Sequence, residues 1–575
     1  MSERPISERL LPSLQWLRGY TPRQFRGDLT AGVTVGIMLI PQAMAYAILA
    51  GLPPVYGLYA SIVPLIAYAL LGTSRHLAVG PVALVSLLVF SGLSGLAEPG
   101  SDRYIQLAII TALGAGLIQL AMGLMRMGFL INFLSRPVLS GFTSAAALII
   151  AVSQIPNLTG LEIPSTAPVH EFLLLFFRHI SEIHLPTLLT GTLSIASIIG
   201  LRYGWPRFPG PLAVVAAGIL ITALFRLNHY GLMIVGDIPG GLPAFAIPTA
   251  SAADIRQLIP LMLVITIVSF VESVAVAQAI ARRHSYRIDS NQELIALGIS
   301  KLAGSLFQSY PTTGGFSRSA VNDLTGGHTG MASIITALII VLTLFILTPL
   351  FYYLPVAVLA AIILVAIVSL FDLREMINLW RTDRKDLSML MVTFISTLIL
   401  GIQEGIAVGV ILSVVTVIYS SSKPHAAELG RLGETTTFRN VERYPEAVTD
   451  ENILIFRFDS PLYFASAGQF NLQLAELINA KGDDLELVIL DASSIIEVDS
   501  TGVHTLRELI LSLQVRHISL FISGAIGPVR DKLKTAGIFE LAGRENFFFD
   551  IEDAIAAWHD DEQRLEGYSP LQSNR

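Results

Sequence analysis

The sequence contains no cysteine, which excludes disulfides, thiolate-held metals and cysteine nucleophiles. Charge is scarce as well: Asp, Glu, Lys and Arg make up 14% of the 575 residues, whereas 53% are hydrophobic. With a mean hydropathy of +0.64, this balance does not suit a water-soluble globule of such length. No HExxH-type metal-ligand spacing and no nucleophile elbow occurs, so neither an enzyme, a metal nor a cofactor is expected. His76, His284 and His328 stand apart near expected loops and read as solvated. The net charge of −7 points to no nucleic-acid partner, since much of the acid lies towards the C-terminus, as at Asp483, Asp484, Asp550 and Glu552.

What is present is apolar sequence in long runs. A bilayer-spanning helix takes roughly 20 residues, and such runs recur from Leu29 to about Tyr419 and then stop. Gly, Pro and charge divide them into spans near residues 29–49, 54–71, 81–96, 104–123, 128–153 and two within 185–226. A second set follows near 258–281, 291–308, 317–325, 331–352, 355–371, 387–402 and 404–420, about fourteen spans in all. The expected organisation is an N-terminal segment 1–28, a membrane domain 29–420, a linker 421–435, a soluble domain 436–562 and a flexible tail 563–575. The first 28 residues hold no short apolar stretch with a small-residue cleavage site, so the first span is expected to be retained. Arg75, Arg126, Arg202 with Arg207, Arg282 with Arg283 and Arg287, and the basic residues from Arg374 to Lys385 fall in alternate loops. The positive-inside rule then places both termini in the cytoplasm of a multi-pass protein of the cell (inner) membrane.

Two spans are too short to cross as ordinary helices, and both begin with helix breakers: Gly80-Pro81, and PTTGGFSRSAVN from Pro311 to Asn322. Each is third in its set of seven. RPVLSGFTSAAALII from Arg136 and LPVAVLAAIILVA from Leu354 echo one another at the fifth place. The pattern implies a seven-plus-seven repeat, inverted because seven is odd, with the broken helices tip to tip near the midplane. A helix N-terminus carries about half a positive charge and unpaired N–H groups, so two facing tips make an anion site. Val82, Ala83 and Leu84 supply one tip; Phe316, Ser317 and Arg318 supply the other, with a hydroxyl from Ser317 and a lasting positive charge from Arg318.

Gln42 and Tyr46 are four residues apart and share one face of the first span. The amide either bridges two helices or faces a bound anion beside Tyr46. In the eighth span Glu272 lies about ten residues before Arg282-Arg283, at a depth where insertion of an acid is charged roughly 2.5–3.5 kcal/mol. Ser269, Glu272, Ser273 and Val276 share a face there. A carboxylate near a bound anion opposes it, so a proton or sodium ion that neutralises Glu272 favours binding, and by linkage the anion favours the cation equally. The other arrangement open to Glu272 is an ion pair with Lys301 or Arg318.

PVYGLYASIVPLIAYALLGTSRHLAVGP, from Pro54 to Pro81, resembles the signature segment of the sulfate permease (SulP) family of anion transporters. NQELIALGISKLAGSLFQSYPTTGGFSRSAVN, from Asn291 to Asn322, is similar to that family's ninth and tenth spans. The resemblance covers nearly the whole chain. It implies fourteen helices in two inverted repeats split into core and gate domains, an elevator-type movement of the core, and a homodimer in membrane lipid. It places Gln42, Tyr46, Ser317 and Arg318 at the substrate and Glu272 at the coupling ion, to which the helix tips add Val82, Ala83 and Phe316 as substrate-binding candidates and the shared face of the eighth span adds Ser269 beside the coupling ion. A glutamate at this place goes with proton-coupled members, and an aspartate with a sodium-coupled bicarbonate carrier. Lys301 stands where Asn is more often found.

After Ser420 strands alternate with helices: NILIFRFD, a short strand PLYFAS, a helix, LELVILDAS, a helix from Ser500, HISLFISG and further helix, an α/β layer. LELVILDASSIIEVDSTGVHTLREL resembles a STAS domain, shared by sulfate transporters and anti-sigma antagonists. In the antagonists the serine of the DSxG turn is phosphorylated, which implies a regulatory site at Ser500; the plainer alternative is that Ser500 caps the helix. Together these readings give proton-coupled sulfate uptake. Sodium-coupled bicarbonate or dicarboxylate transport, an anion channel or exchanger, a voltage-driven motor and a membrane sensor are the alternatives on the same scaffold.

Overall fold

Thr21-Pro22-Arg23-Gln24 is a helix-start signal, and in the computed structural model it opens α1 (Pro22–Leu49). The Thr21 hydroxyl accepts the Gln24 N–H and the Gln24 side chain accepts the Thr21 N–H. The structure describes residues 12–133, 135–161, 163, 169–205 and 209–566. Residues 1–11 of the expected N-terminal segment and 567–575 of the expected tail therefore lie outside the described residues.

Every expected span carries a helix. After α1 come α2 (Val63–Leu71), entered through a turn of helix at Val55–Tyr59, α3 (Ala83–Leu93), α4 (Asp102–Leu124), α5 (Arg136–Thr159), α6 (Leu185–Gly204) and α7 (Gly210–Phe225). The second set is α8 (Ala252–Arg283), α9 (Ser290–Ser305), α10 (Phe316–Leu324), α11 (Met331–Leu342), α12 (Val356–Ile367), α13 (Arg384–Leu400) and α14 (Ile402–Ser422). Among the described residues, seven helices are long and apolar enough to cross a membrane by length and composition. Sequence reading placed neither Val169–Arg178 nor Leu373–Thr382, two short helices outside the apolar runs.

Chain contacts divide the molecule into two compact units at Ser413/Val414, within α14. In the first, α4 packs closely on α9. A Cβ at Gly116 would lie 2.9 Å from the Gly298 carbonyl, and one at Gly298 the same distance from the Gly116 carbonyl, so only glycine permits this approach. Leu185, Leu189 and Leu193 of α6, Leu220 and Leu224 of α7, and Ile411, Val415 and Ile418 of α14 are exposed, faces that suit hydrocarbon rather than water.

The second unit holds a seven-stranded sheet in which Phe438–Asn440, Ala426–Leu432, Ile453–Phe458, Leu487–Asp491, Ser519–Ser523 and Phe547–Phe548 lie side by side in that order, with Ala447–Val448 also beside Ala426–Leu432. Its strands are β3 (Ala426–Leu432), β4 (Phe438–Asn440), β5 (Ala447–Val448), β6 (Ile453–Phe458), β7 (Leu487–Asp491), β8 (Ser519–Ser523) and β9 (Phe547–Phe548). The run β6-β7-β8-β9 is parallel, and β3 joins β6 antiparallel. Parallel strands are buried on both faces, which is why Ile453–Phe456 of β6 and Leu487–Leu490 of β7 read as unbroken apolar runs. Leu454, Phe456 and Phe458 meet Phe470 on α15 (Ala467–Lys481) and Leu506 on α16 (Ser500–Val515). Ile453 and Ile455 face the other way, towards Ala554 of the helix Ile551–Glu566.

Two expectations need correction here. Residues 421–435 are not all linker: β3 lies within them, because Ala426 to Glu428 pair with Phe456 to Phe458 and extend the sheet. PLYFAS is not a strand. It makes one isolated bridge, Leu462 to Val498, and then turns, the Ser466 hydroxyl accepting the Tyr463 N–H and donating to the Pro461 carbonyl.

Candidate anion site at the crossing of two half-helices

Gly80-Pro81 and Gly314-Gly315 stop regular helix, and the extended residues before them pair. β1 (Val79–Gly80) and β2 (Thr313–Gly314) form a short antiparallel ladder, with Val79 opposite Gly314 and Gly80 opposite Thr313. Each strand runs straight into a half-helix: α3 follows Val82, its extended N-cap, and α10 follows Gly315. Neither N-terminus has a side-chain cap. The N–H groups of each first turn are thus left for an external acceptor, and the two helix dipoles start from one place.

Side chains brace this crossing from three elements. From α8, the Ser273 hydroxyl accepts the Gly314 N–H at 2.9 Å and lies 2.8 Å from the Thr313 hydroxyl, which donates to the Ser269 carbonyl at 2.8 Å. From α10, the Ser319 hydroxyl accepts the Ala78 N–H at 3.0 Å and Asn322 donates to the His76 carbonyl at 2.9 Å. Across the ladder, the hydroxyls of Ser86 on α3 and Tyr310 before β2 are 3.1 Å apart.

Arg318 lies under the ladder, 2% exposed, and donates to the carbonyls of Pro81 and Ala78. It therefore ties the α3 tip to the α10 tip as well as supplying charge. A Cβ on Gly315 would come within 2.8 Å of its guanidinium, so glycine there makes room for it. Its Nε stays buried without a partner, as does the Thr312 hydroxyl.

The residues singled out from sequence distribute as follows. Gln42 and Tyr46 are buried on α1, 4% and 7% exposed. Tyr46, Glu272 and Tyr310 lie close enough to Arg318 to act on it electrostatically. Val82 and Ala83 are buried at the α3 tip, whereas the side chains of Phe316 and Ser317 are exposed at the α10 tip. One carboxylate oxygen of Glu272 is buried with no hydrogen-bond partner. Ser269 is engaged elsewhere, its hydroxyl accepting from Gln119 at 3.0 Å. Lys301 does not pair with Glu272: its ammonium donates to the Gln119 side-chain carbonyl at 2.8 Å.

Two expectations outside the crossing fail. His76 is not solvated but 3% exposed, stacked on His284 and bonded to the Tyr286 hydroxyl at 3.1 Å. Burial, with His284 beside it, pushes its imidazole down to about 4. Nor does Ser500 cap α16. Asp499 does, accepting the Gly502 N–H at 2.8 Å, which leaves Ser500 exposed as the first helical residue. Tyr310, Ser86, Thr313 and Gln119 were missed. The hydroxyls beside the Gly-Gly break were a signal, and so was an amide in the apolar run of α4.

The profile of the sulfate permease family matches residues 25–393, and that of the STAS domain matches 444–554. The chain is 41% identical to sulfate transporter 4.1, chloroplastic, of Arabidopsis thaliana over 95% of its own length and 82% of the relative's. It is 34% identical to a probable sulfate transporter of Mycobacterium tuberculosis over 95% and 98% of the two chains. The structure of the murine solute carrier 26 family member A9 anion transporter in the inward-facing state superposes with a TM-score of 0.89 at 28% identity, over 97% of this chain and 95% of that one.

Proposed function

This chain belongs to the sulfate permease family of integral membrane anion transporters, and from that premise we propose that it takes up sulfate together with protons. The observation that carries the reading is the crossing of β1 and β2, where two uncapped helix N-termini start above a buried arginine. An oxyanion there accepts N–H groups from both tips, in the field of Arg318 and beside Tyr46 and Gln42. The relatives' names, sulfate transporters in both cases, favour sulfate as the anion.

Glu272 supplies the coupling. Its unpartnered oxygen opposes an arriving dianion while ionised and ceases to do so once protonated. Proton and sulfate therefore promote each other's binding by the same factor. The fourteen helices form two inverted sets of seven, and α3 and α10 move as one body across the membrane, since the ladder and Arg318 join them. Both termini are cytoplasmic, the protein is a homodimer in the inner membrane, and phosphorylation of exposed Ser500 regulates it.

Labelled sulfate uptake into proteoliposomes under an inward proton gradient tests the reading. Wild type accumulates sulfate and stops when the gradient collapses. Glu272→Gln retains sulfate exchange but loses the response to the gradient. Sodium-dependent bicarbonate uptake in place of proton-driven sulfate uptake contradicts it.

A further inference from the structure

A further buried charge lies apart from Arg318 and Glu272. Lys301 on α9 is 1% exposed, and its ammonium makes one hydrogen bond, to the Gln119 side-chain carbonyl on α4. The Gln119 amide nitrogen is already committed to the Thr266 carbonyl and the Ser269 hydroxyl, each at 3.0 Å. No carboxylate pairs with Lys301 among the described residues, and no charged group there acts on it. Glu272 answers to Arg318 instead. Glu293, earlier on α9, is held by Tyr68, Thr73 and Ser74. An isolated ammonium with a single neutral acceptor is poorly solvated in a low-dielectric interior unless it balances a charge elsewhere in the same body.

The same network shows which charge that is. Lys301 leads through Gln119 to Ser269, and the Ser269 carbonyl receives the Thr313 hydroxyl of β2. Lys301, Glu272 and Arg318 are thus fixed to one body with the anion site and travel with it. Moving a body with net charge through lipid is costly, so the states that cross are the neutral ones. With Arg318 always charged, a sulfate dianion is balanced when Glu272 is protonated and Lys301 is an ammonium. The empty body is balanced when Glu272 is ionised and Lys301 is a neutral amine.

We propose that Lys301 is a second proton-binding site, which makes the cycle electroneutral with roughly two protons carried per sulfate. One proton loads onto the Glu272 carboxylate and one onto the Lys301 amine as sulfate binds. Both leave on the other side with the sulfate, and the body returns with neither. This inference rests on the proton-coupled reading above.

The test uses the full chain in proteoliposomes, with labelled sulfate, an internal pH dye and the membrane potential set by potassium and valinomycin. Wild type carries roughly two protons per sulfate, and its accumulation does not respond to potential. Lys301→Met leaves the loaded body with one net negative charge, so sulfate uptake slows sharply, and what remains carries one proton per sulfate and changes about tenfold per 60 mV. Lys301→Arg, permanently charged, keeps sulfate exchange, which shows an intact fold, and loses net uptake. A wild type that carries one proton per sulfate and follows the potential overturns the role of Lys301 while leaving symport through Glu272 standing. That ratio is decisive even if Lys301→Met fails to fold. Absence of proton-driven sulfate uptake in wild type overturns both readings.

Discussion

The two units bury opposite things. The core of the C-terminal unit is almost wholly apolar, built on Phe456, Phe458, Phe470 and the aliphatic residues of β6 to β8. Its buried carboxylate, Asp491, is satisfied locally by the Ser493 N–H at 3.0 Å. The membrane unit instead buries Arg318, Lys301, Asp28 and Glu293 at 2% exposure or less. Asp28 and Glu293 are saturated with donors and act as staples: Asp28 accepts from Tyr20, His328 and Thr329, and Glu293 from Tyr68, Thr73 and Ser74. Arg318 and Lys301 are not saturated, and Glu272 near Arg318 keeps a bare oxygen. Saturated buried charge marks architecture, whereas unsaturated buried charge gathers at the proposed site.

Arg318→Met breaks that contrast most severely. It leaves the Pro81 and Ala78 carbonyls unpaired and removes the charge joining the two tips, a change on the order of 3–5 kcal/mol. Sulfate uptake falls at least about 100-fold, consistent with that magnitude. Phe470→Ala in the apolar core of the C-terminal unit costs about 3–5 kcal/mol of local stability. Hydrogen exchange in the full chain then quickens across β6 and β7 but not around β1 and β2. The smallest effect is electrostatic. Burial pushes the Asp459 carboxyl up, but Arg457 at 2.7 Å and His425 at 3.0 Å pull it further down, to a value below the usual carboxylate range. The stability it contributes is full above the unfolded pKa of about 3.9 and disappears as pH falls through the lower folded value. For so exposed a pair this is under about 1 kcal/mol. Exchange at Arg457 and Asp459 on acidification reads it, with Asp459→Asn as the reference.

Periodicity, breakers and the length of apolar runs were enough to locate every long helix, because a span leaves about 20 residues of unmistakable composition. The place where the two half-helices cross was legible too, in Gly80-Pro81 and Gly314-Gly315. What sequence did not show was partnership. Nothing in the spacing of Arg318 tells that its guanidinium turns back onto the carbonyls of Pro81 and Ala78, or that Lys301 faces Gln119 rather than Glu272. Those contacts join residues up to 240 positions apart. PLYFAS and the strand at Ala426–Leu432 were misread for a related reason: strand identity depends on a neighbour's register, which a single segment does not carry.

The proposal places the transported anion between the N-termini of α3 and α10. Selenate, isosteric with sulfate and traceable by the anomalous scattering of selenium, tests it directly in a crystal of the full chain. A selenium peak is expected within reach of the backbone N–H groups of Ala83 and Leu84 on one side and of Phe316 and Ser317 on the other, absent in Arg318→Met. A peak elsewhere in the membrane unit, or one at the crossing that persists unchanged in Arg318→Met, would contradict it.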